Sequence, residues 1–129
     1  MTIGIDIVDV KRLERTVRSF PGFIDRVFTE EEKRYSMSKP RPYEHLAARF
    51  AAKEAAFKSL GTGWPYLSWH EVEVQSGPRG PQLVVTGKAH EMGGDCRWMV
   101  SLAHDGGFAI AEVARLLRPS LVSWDEPDH

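Results

Sequence analysis

Apolar and polar positions alternate at the start of this chain and then change period. Ile3, Ile5 and Ile7 alternate with Gly4, Asp6 and Val8, a period of two that predicts a first strand. Val10, Leu13 and Val17 then recur at helical spacing, with Lys11, Arg12 and Arg15 outside, so a helix opens at Asp9 or its neighbour and stops at Pro21-Gly22. Phe23, Ile24, Val27 and Phe28 predict a short second helix. Thr29 followed three residues later by Glu32 is a capping-box signal for a third, running to about Met37. A rigid basic loop, Lys39-Pro40-Arg41-Pro42, leads into the longest predicted helix, alanine-rich from Tyr43 to Leu60 and closed by Gly61.

The second half reads differently. His70 to Val74 alternates, Gln82 to Thr86 is rich in β-formers, and Gly77 to Pro81 between them reads as a hairpin loop. Lys88 to Met92 fits a short helix. Trp98 to His104 and Phe108 to Val113 are two strands around Asp105-Gly106-Gly107, a turn in which glycine supplies positive φ. Residues 118–129 carry no periodicity and read as a loose C-terminal tail, leaving residues 1–117 as one domain. Helices first and mainly antiparallel strands afterwards give an α+β fold.

Composition narrows the function classes. The 129 residues are 42% hydrophobic and 27% charged with a net charge of −1, which suits one globular domain with a core. No apolar run approaches the ~20 residues needed to cross a bilayer, so no membrane partner is expected. The amino terminus lacks the basic-then-apolar layout of a signal peptide. Cys96 stands alone, excluding an intrachain disulfide and favouring a reducing, cytoplasmic setting. The balanced charge argues against nucleic acid as a partner. Phosphate recognition here must be local.

Three features carry chemistry, each with a plainer alternative. Asp6 interrupts an apolar strand, which is costly unless the acid is paired or holds a metal; it could instead cap the next helix, although Asp9 is better placed to do so. In RFAAKEAAFKSLGTG, Glu54 and Lys58 share a helix face at i,i+4, as do Arg49 and Lys53, while Phe50 and Phe57 supply the buried side. That spacing also describes an ordinary solvated helix. The Gly61-Thr62-Gly63 turn offers backbone N–H groups and a hydroxyl to phosphate oxygens, or simply caps the helix. His104, at a strand end, either satisfies a turn or gives a charge-assisted bond to a phosphate. No nucleophile triad is readable, the lone cysteine lacks a helix-start context, and the clustered ligands of a zinc site are missing. Two carboxylates with phosphates favour a hard ion such as magnesium.

The blocks GIDIVDVKRLE, FTEEE, RFAAKEAAFKSLGTG and SLAHDGGFAIAEV, in that order across residues 3–113, resemble holo-acyl-carrier-protein synthase, the short single-domain branch of the 4′-phosphopantetheinyl transferases. The resemblance implies that family's fold. It also implies transfer of 4′-phosphopantetheine from coenzyme A to a serine of an apo acyl-carrier protein, releasing adenosine 3′,5′-bisphosphate. Asp6 and Glu54 match the metal ligands for Mg2+, Glu54 is the candidate base, and Lys58 matches a basic residue near the pyrophosphate. Arg49 and His104 match positions near the nucleotide phosphates, joined by Arg41 from its loop. Arg12 matches a residue that docks the acidic carrier. The family is typically a homotrimer with active sites between subunits. Two positions depart from its pattern: Thr2 replaces a glycine, and Ala103 replaces a serine or threonine before His104.

Two other classes compete. A non-catalytic coenzyme A or carrier-binding module would need no metal, so the presence of both Asp6 and Glu54 counts against it. A structural nucleic-acid binder fits poorly with the near-neutral charge. The choice among fatty-acid, polyketide and peptide-synthetase carriers is left open by the sequence.

Overall fold

In the computed structural model, residues 1–118 are described, and the expected tail lies outside that range apart from Arg118. Strand β1 (Thr2–Asp9) passes directly into helix α1 (Val10–Ser19) because the Asp9 carboxylate accepts the Arg12 amide at 3.1 Å, the N-cap expected of Asp9. Helix α2 (Phe23–Val27) follows the Pro21-Gly22 break. Helix α3 (Glu30–Met37) starts at the reciprocal Thr29–Glu32 capping box. Helix α4 (Pro42–Leu60) is the longest element and ends at Gly61, whose φ of +78° suits glycine.

The second half holds the hairpin β2 (Val72–Gly77) and β3 (Gly80–Val85), helix α5 (Gly87–Gly93), and the long hairpin β4 (Cys96–Asp105) and β5 (Phe108–Leu117). The expected loop over Gly77 to Pro81 shrinks to Pro78-Arg79, because the ladder runs out to the Gly77–Gly80 pair. His70 is not in a strand. It sits in a 3₁₀ turn, Trp69–Glu71, that Ser68 caps, and the strand starts at Val72. Among the described residues the strands form an antiparallel sheet, β1-β5-β4, and the separate β2–β3 pair.

Helix α4 is the centre of the molecule. Ala47, Ala51, Ala52, Ala55 and Ala56 are fully buried, and α4 packs on β1 and β5, where Ala109, Ala111 and Val113 are equally buried. Small residues on both sides bring helix and sheet close, most of all at Gly4, where any side chain would drive into the Ala55 carbonyl. Period two in β1 therefore has its inner face at Gly4, Asp6 and Val8. Ile3, Ile5 and Ile7 point away, 53%, 58% and 59% exposed.

The basic helix face expected from Arg49 and Lys53 does not exist as a solvated surface. Both side chains are interior, because α4 is covered by the sheet, α3 and the β2 region together. Lys53 and Glu32 form an ion pair at 2.8 Å with neither side chain exposed at all.

Candidate functional site

The inner face of β1 brings Asp6 to the last turns of α4. Lys58 Nζ donates to the Asp6 carboxylate at 3.0 Å and to the Ile5 carbonyl at 2.9 Å, tying helix end to strand. Glu54, one turn earlier on the same helix face, is half-buried. Burial raises its proton affinity, the nearby Asp6 charge adds to the effect, and Lys58 opposes it. Two carboxylates and an ammonium, those of Asp6, Glu54 and Lys58, thus converge.

Glu54 stands between two clefts. One, of about 550 Å³, carries Lys58, the Gly61–Gly63 turn and an aromatic wall of Phe57, Trp64 and Trp69. The other, of about 440 Å³, runs from Asp6 to Arg12 over Phe23 and Phe50. The turn offers less than its sequence promised. The Gly61 amide donates to the Lys58 carbonyl and the Thr62 amide to the Phe57 carbonyl, closing the helix as a Schellman cap. What remains for an anion is the Gly63 amide and the Thr62 hydroxyl.

Arg49, His104 and Arg41 assemble elsewhere. Glu44, in the first turn of α4, pairs with Arg41 at 3.5 Å and with His104 Nδ1 at 3.6 Å. Arg49 is buried beneath them. Its guanidinium lies 4.3 Å from the Tyr35 ring centroid, donates to Ser76 Oγ at 2.6 Å and to the His45 carbonyl at 3.3 Å, and leaves Nε buried without a partner. Burial, and then the Arg49 charge, push His45 below the usual imidazole range. The clefts lined by Glu54 include none of Arg41, Arg49 and His104. Glu44 and Lys58 are separated by about 20 Å along the helix axis, at 1.5 Å per residue.

Sequence reasoning missed Glu44, Tyr35 and Ser76, and the aromatic wall. Glu44 had a signal, one residue from His45 and five from Arg49 at a helix start. Ser76 had none, since only the fold brings it to Arg49.

Comparison with known proteins identifies the family. The 4′-phosphopantetheinyl transferase superfamily matches residues 2–113. The holo-[acyl-carrier-protein] synthase of Geobacillus sp. strain WCH70 is 44% identical over 114 residues, covering 86% of this chain and 92% of that protein. The one from Salinispora arenicola is 45% identical over 117 residues, covering 88% and 95%. Among solved structures, the Bacillus anthracis holo-(acyl-carrier-protein) synthase in complex with CoA (3′,5′-ADP) superposes with a TM-score of 0.76 at 32% identity, covering 91% of this chain and 96% of that one. The Helicobacter pylori enzyme in complex with coenzyme A gives 0.77 at 30% identity, covering 88% and 98%. On the combined grounds of motif order, α+β fold and these matches, the chain belongs to the 4′-phosphopantetheinyl transferase superfamily, in its holo-acyl-carrier-protein synthase branch.

Proposed function

We propose that this enzyme transfers 4′-phosphopantetheine from coenzyme A to a serine hydroxyl of an apo acyl-carrier protein, with Mg2+ held by Asp6 and Glu54. The observation that carries the reading is the meeting of Asp6, Glu54 and Lys58 where two clefts join. The donor set fits a hard cation. It offers oxygen ligands from two carboxylates close enough to repel one another. When bound, the cation supplies charge neutralisation at the pyrophosphate.

The residues then divide the work. Lys58, the Gly63 amide and the Thr62 hydroxyl receive the pyrophosphate in the wider cleft, and the carrier serine enters from the Arg12 side. The serine oxygen bonds to the phosphorus that bears pantetheine. The bond from that phosphorus to the bridging oxygen breaks, and adenosine 3′,5′-bisphosphate leaves with both electrons. Glu54 takes the serine proton, a task that suits a carboxylate whose burial raises its proton affinity. Phosphoryl transfer asks chiefly for positioning and electrostatics, and this arrangement supplies both.

Arg41 and His104 hold the nucleotide phosphates, with the buried charge of Arg49 behind them, and we place them opposite the Glu54 cleft of a neighbouring copy in a homotrimer. Support comes from the outer sheet face, where cross-strand partners form the rows Ile3–Ala114–Met99 and Ile7–Ile110–Ala103 on either side of the mixed row Ile5–Glu112–Ser101, and from the exposure of Ile110 and Phe108 beside them. Sedimentation of the purified chain tests this, and a monomer at assay concentration refutes it. No helix of the described residues is long and apolar enough to cross a membrane. The lone Cys96, which forms no intrachain disulfide, favours a reducing, cytoplasmic site of action.

The deciding assay incubates the protein with coenzyme A, magnesium and an apo carrier, and weighs the carrier. A mass gain of one phosphopantetheine is expected, and its loss in Asp6→Ala and in Glu54→Ala, each by at least about 10²–10³ in rate. An unchanged carrier mass with tight coenzyme A binding would make the protein a binding module. Near-normal turnover in a folded Glu54→Ala variant would refute the two-carboxylate site.

A further inference from the structure

Lys53 and Glu32 are the largest investment of buried charge in the molecule, and the chemistry above does not use them. Glu32 Oε1 accepts from the Thr29 amide at 2.9 Å and from Lys53 Nζ at 2.8 Å, while Oε2 accepts from the Val74 amide at 2.8 Å. Lys53 Nζ also donates to the carbonyls of Trp69, at 3.0 Å, and Val72, at 2.5 Å. One ion pair thus joins α3, α4, the 3₁₀ turn and β2. Burial pulls Lys53 below the usual lysine range, and Glu32 works against that pull.

The carbonyls that Lys53 holds end the segment forming the wall of the Glu54 cleft. That segment leaves α4 at the Gly61 cap and returns at Trp69. The Trp69 ring packs 5.2 Å from both Phe50 and Phe57, and stacks on Trp64 at 6.2 Å with the planes 18° apart. Trp64, Trp69, Gly63 and Thr62 all face the same cleft as Glu54 and Lys58. Leu67, fully buried, anchors the middle of the segment, but apolar burial sets depth and not register. Directional bonds to two carbonyls set register, and the Lys53 ammonium reaches both and a carboxylate from this place on the helix.

We propose that Lys53, backed by Glu32, is a positioning residue that holds the Gly63–Trp69 wall in register against Glu54 and Lys58. The proposal rests on the reading of that cleft as the coenzyme A site. A buried ion pair can often be replaced by apolar residues without loss of stability, whereas removing one partner is destabilising. That asymmetry separates positioning from stability. Lys53→Met alone is expected to lower the melting temperature. The double variant Lys53→Met/Glu32→Leu is expected to recover part of it, since the Thr29 and Val74 amides also lose their acceptor, yet to keep a kcat/KM for coenzyme A reduced on the order of ten- to a hundredfold, because the Trp69 and Val72 carbonyls have lost their donor. Most of the loss should fall on KM.

Acrylamide quenching of tryptophan emission, measured without coenzyme A in a Trp98→Phe/Trp124→Phe background so that only Trp64 and Trp69 emit, follows the wall and should rise in the double variant. A double variant with recovered stability, wild-type KM and wild-type quenching overturns the proposal and leaves the pair a stabilising device. A double variant that does not fold overturns it too, since the pair is then required for the fold itself. If the wild-type protein binds no coenzyme A, the reading of the cleft fails, while the quenching comparison still decides whether Lys53 holds the wall.

Discussion

Gly4 is where the fold is least able to accept a change, although it touches no proposed ligand. Strand β1 crosses α4 so closely that a methyl group on Gly4 would drive into the Ala55 carbonyl oxygen, with the carbonyl carbon at 2.8 Å and the Ser59 nitrogen at 3.2 Å. Ordinary contact begins at 3.4 Å, and all three obstacles are backbone, so no side chain can swing aside. Gly4→Ala must therefore lift β1 from the helix, on the order of an ångström. Asp6 lies two residues along the same face of that strand, and its 3.0 Å contact with Lys58 cannot survive such a shift intact. Overpacking of this kind costs about 1–3 kcal/mol, and misplacing a reacting group by an ångström costs about 10² in rate. Both effects are expected together. Urea denaturation reads the first and the carrier mass assay the second, with Gly77→Ala as a control, because its methyl would meet nothing closer than 4.0 Å. A Gly4→Ala variant with stability and turnover matching the control would refute the close-packing argument and with it the account of how Asp6 is placed.

Three further outcomes are expected. In metal-free buffer, Glu54→Gln should stabilise the protein at neutral and alkaline pH, because the raised folded-state proton affinity means that the fold disfavours the charged carboxylate; the gain should vanish as pH falls through the ordinary glutamate range, and a gain that grows on acidification would contradict the sign. Arg12→Glu should raise the KM for carrier protein and leave coenzyme A binding unchanged, since Arg12 is exposed on the cleft running to Asp6; the wild-type KM should climb with salt, and a salt-independent value would count against this docking face. Ala103→Ser adds a hydroxyl at the rim of the cleft holding Arg49 and His104 and should tighten coenzyme A binding by up to about tenfold, the worth of one neutral hydrogen bond; calorimetric titration showing equal or weaker binding would dismiss it.

Elements decided by local chemistry are legible in the sequence alone. The Thr29–Glu32 box, the Asp9 cap, the Gly61 stop and the Gly106-Gly107 turn each need only neighbours within a few residues. Helix α4 is legible as a helix and illegible as an environment. A solvated face is the natural reading of Arg49 and Lys53, because spacing along a helix says which residues share a face and nothing about what covers it. Their partners, Ser76 and Glu32, lie 27 and 21 residues away in sequence, and the first of these distances is a contact no periodicity announces. Strand β1 is ambiguous in the same manner. Alternation sorts Ile3, Ile5 and Ile7 from Gly4, Asp6 and Val8 but does not say which set faces the core, and backbone contact at Gly4 decides it.

The same limit shapes the site. Along the chain, Asp6, Arg41, Arg49, Glu54, Lys58 and His104 make one set of phosphate and metal residues. Folding divides them, with Asp6, Glu54 and Lys58 at the end of α4, Arg41 and His104 around Glu44 at its start, and Arg49 buried beneath that second group. A rigid helix cannot bring its own two ends together, so on the function proposed above each chain carries two half-sites. The apolar rows on the outer sheet face lie between them on β1, β5 and β4, and a surface of that kind is costly to leave in water. Burying it against a second copy would relieve that cost and could carry one chain's His104 group to its neighbour's Glu54. Assembly and catalysis would then depend on the same isoleucines, although none of them touches substrate.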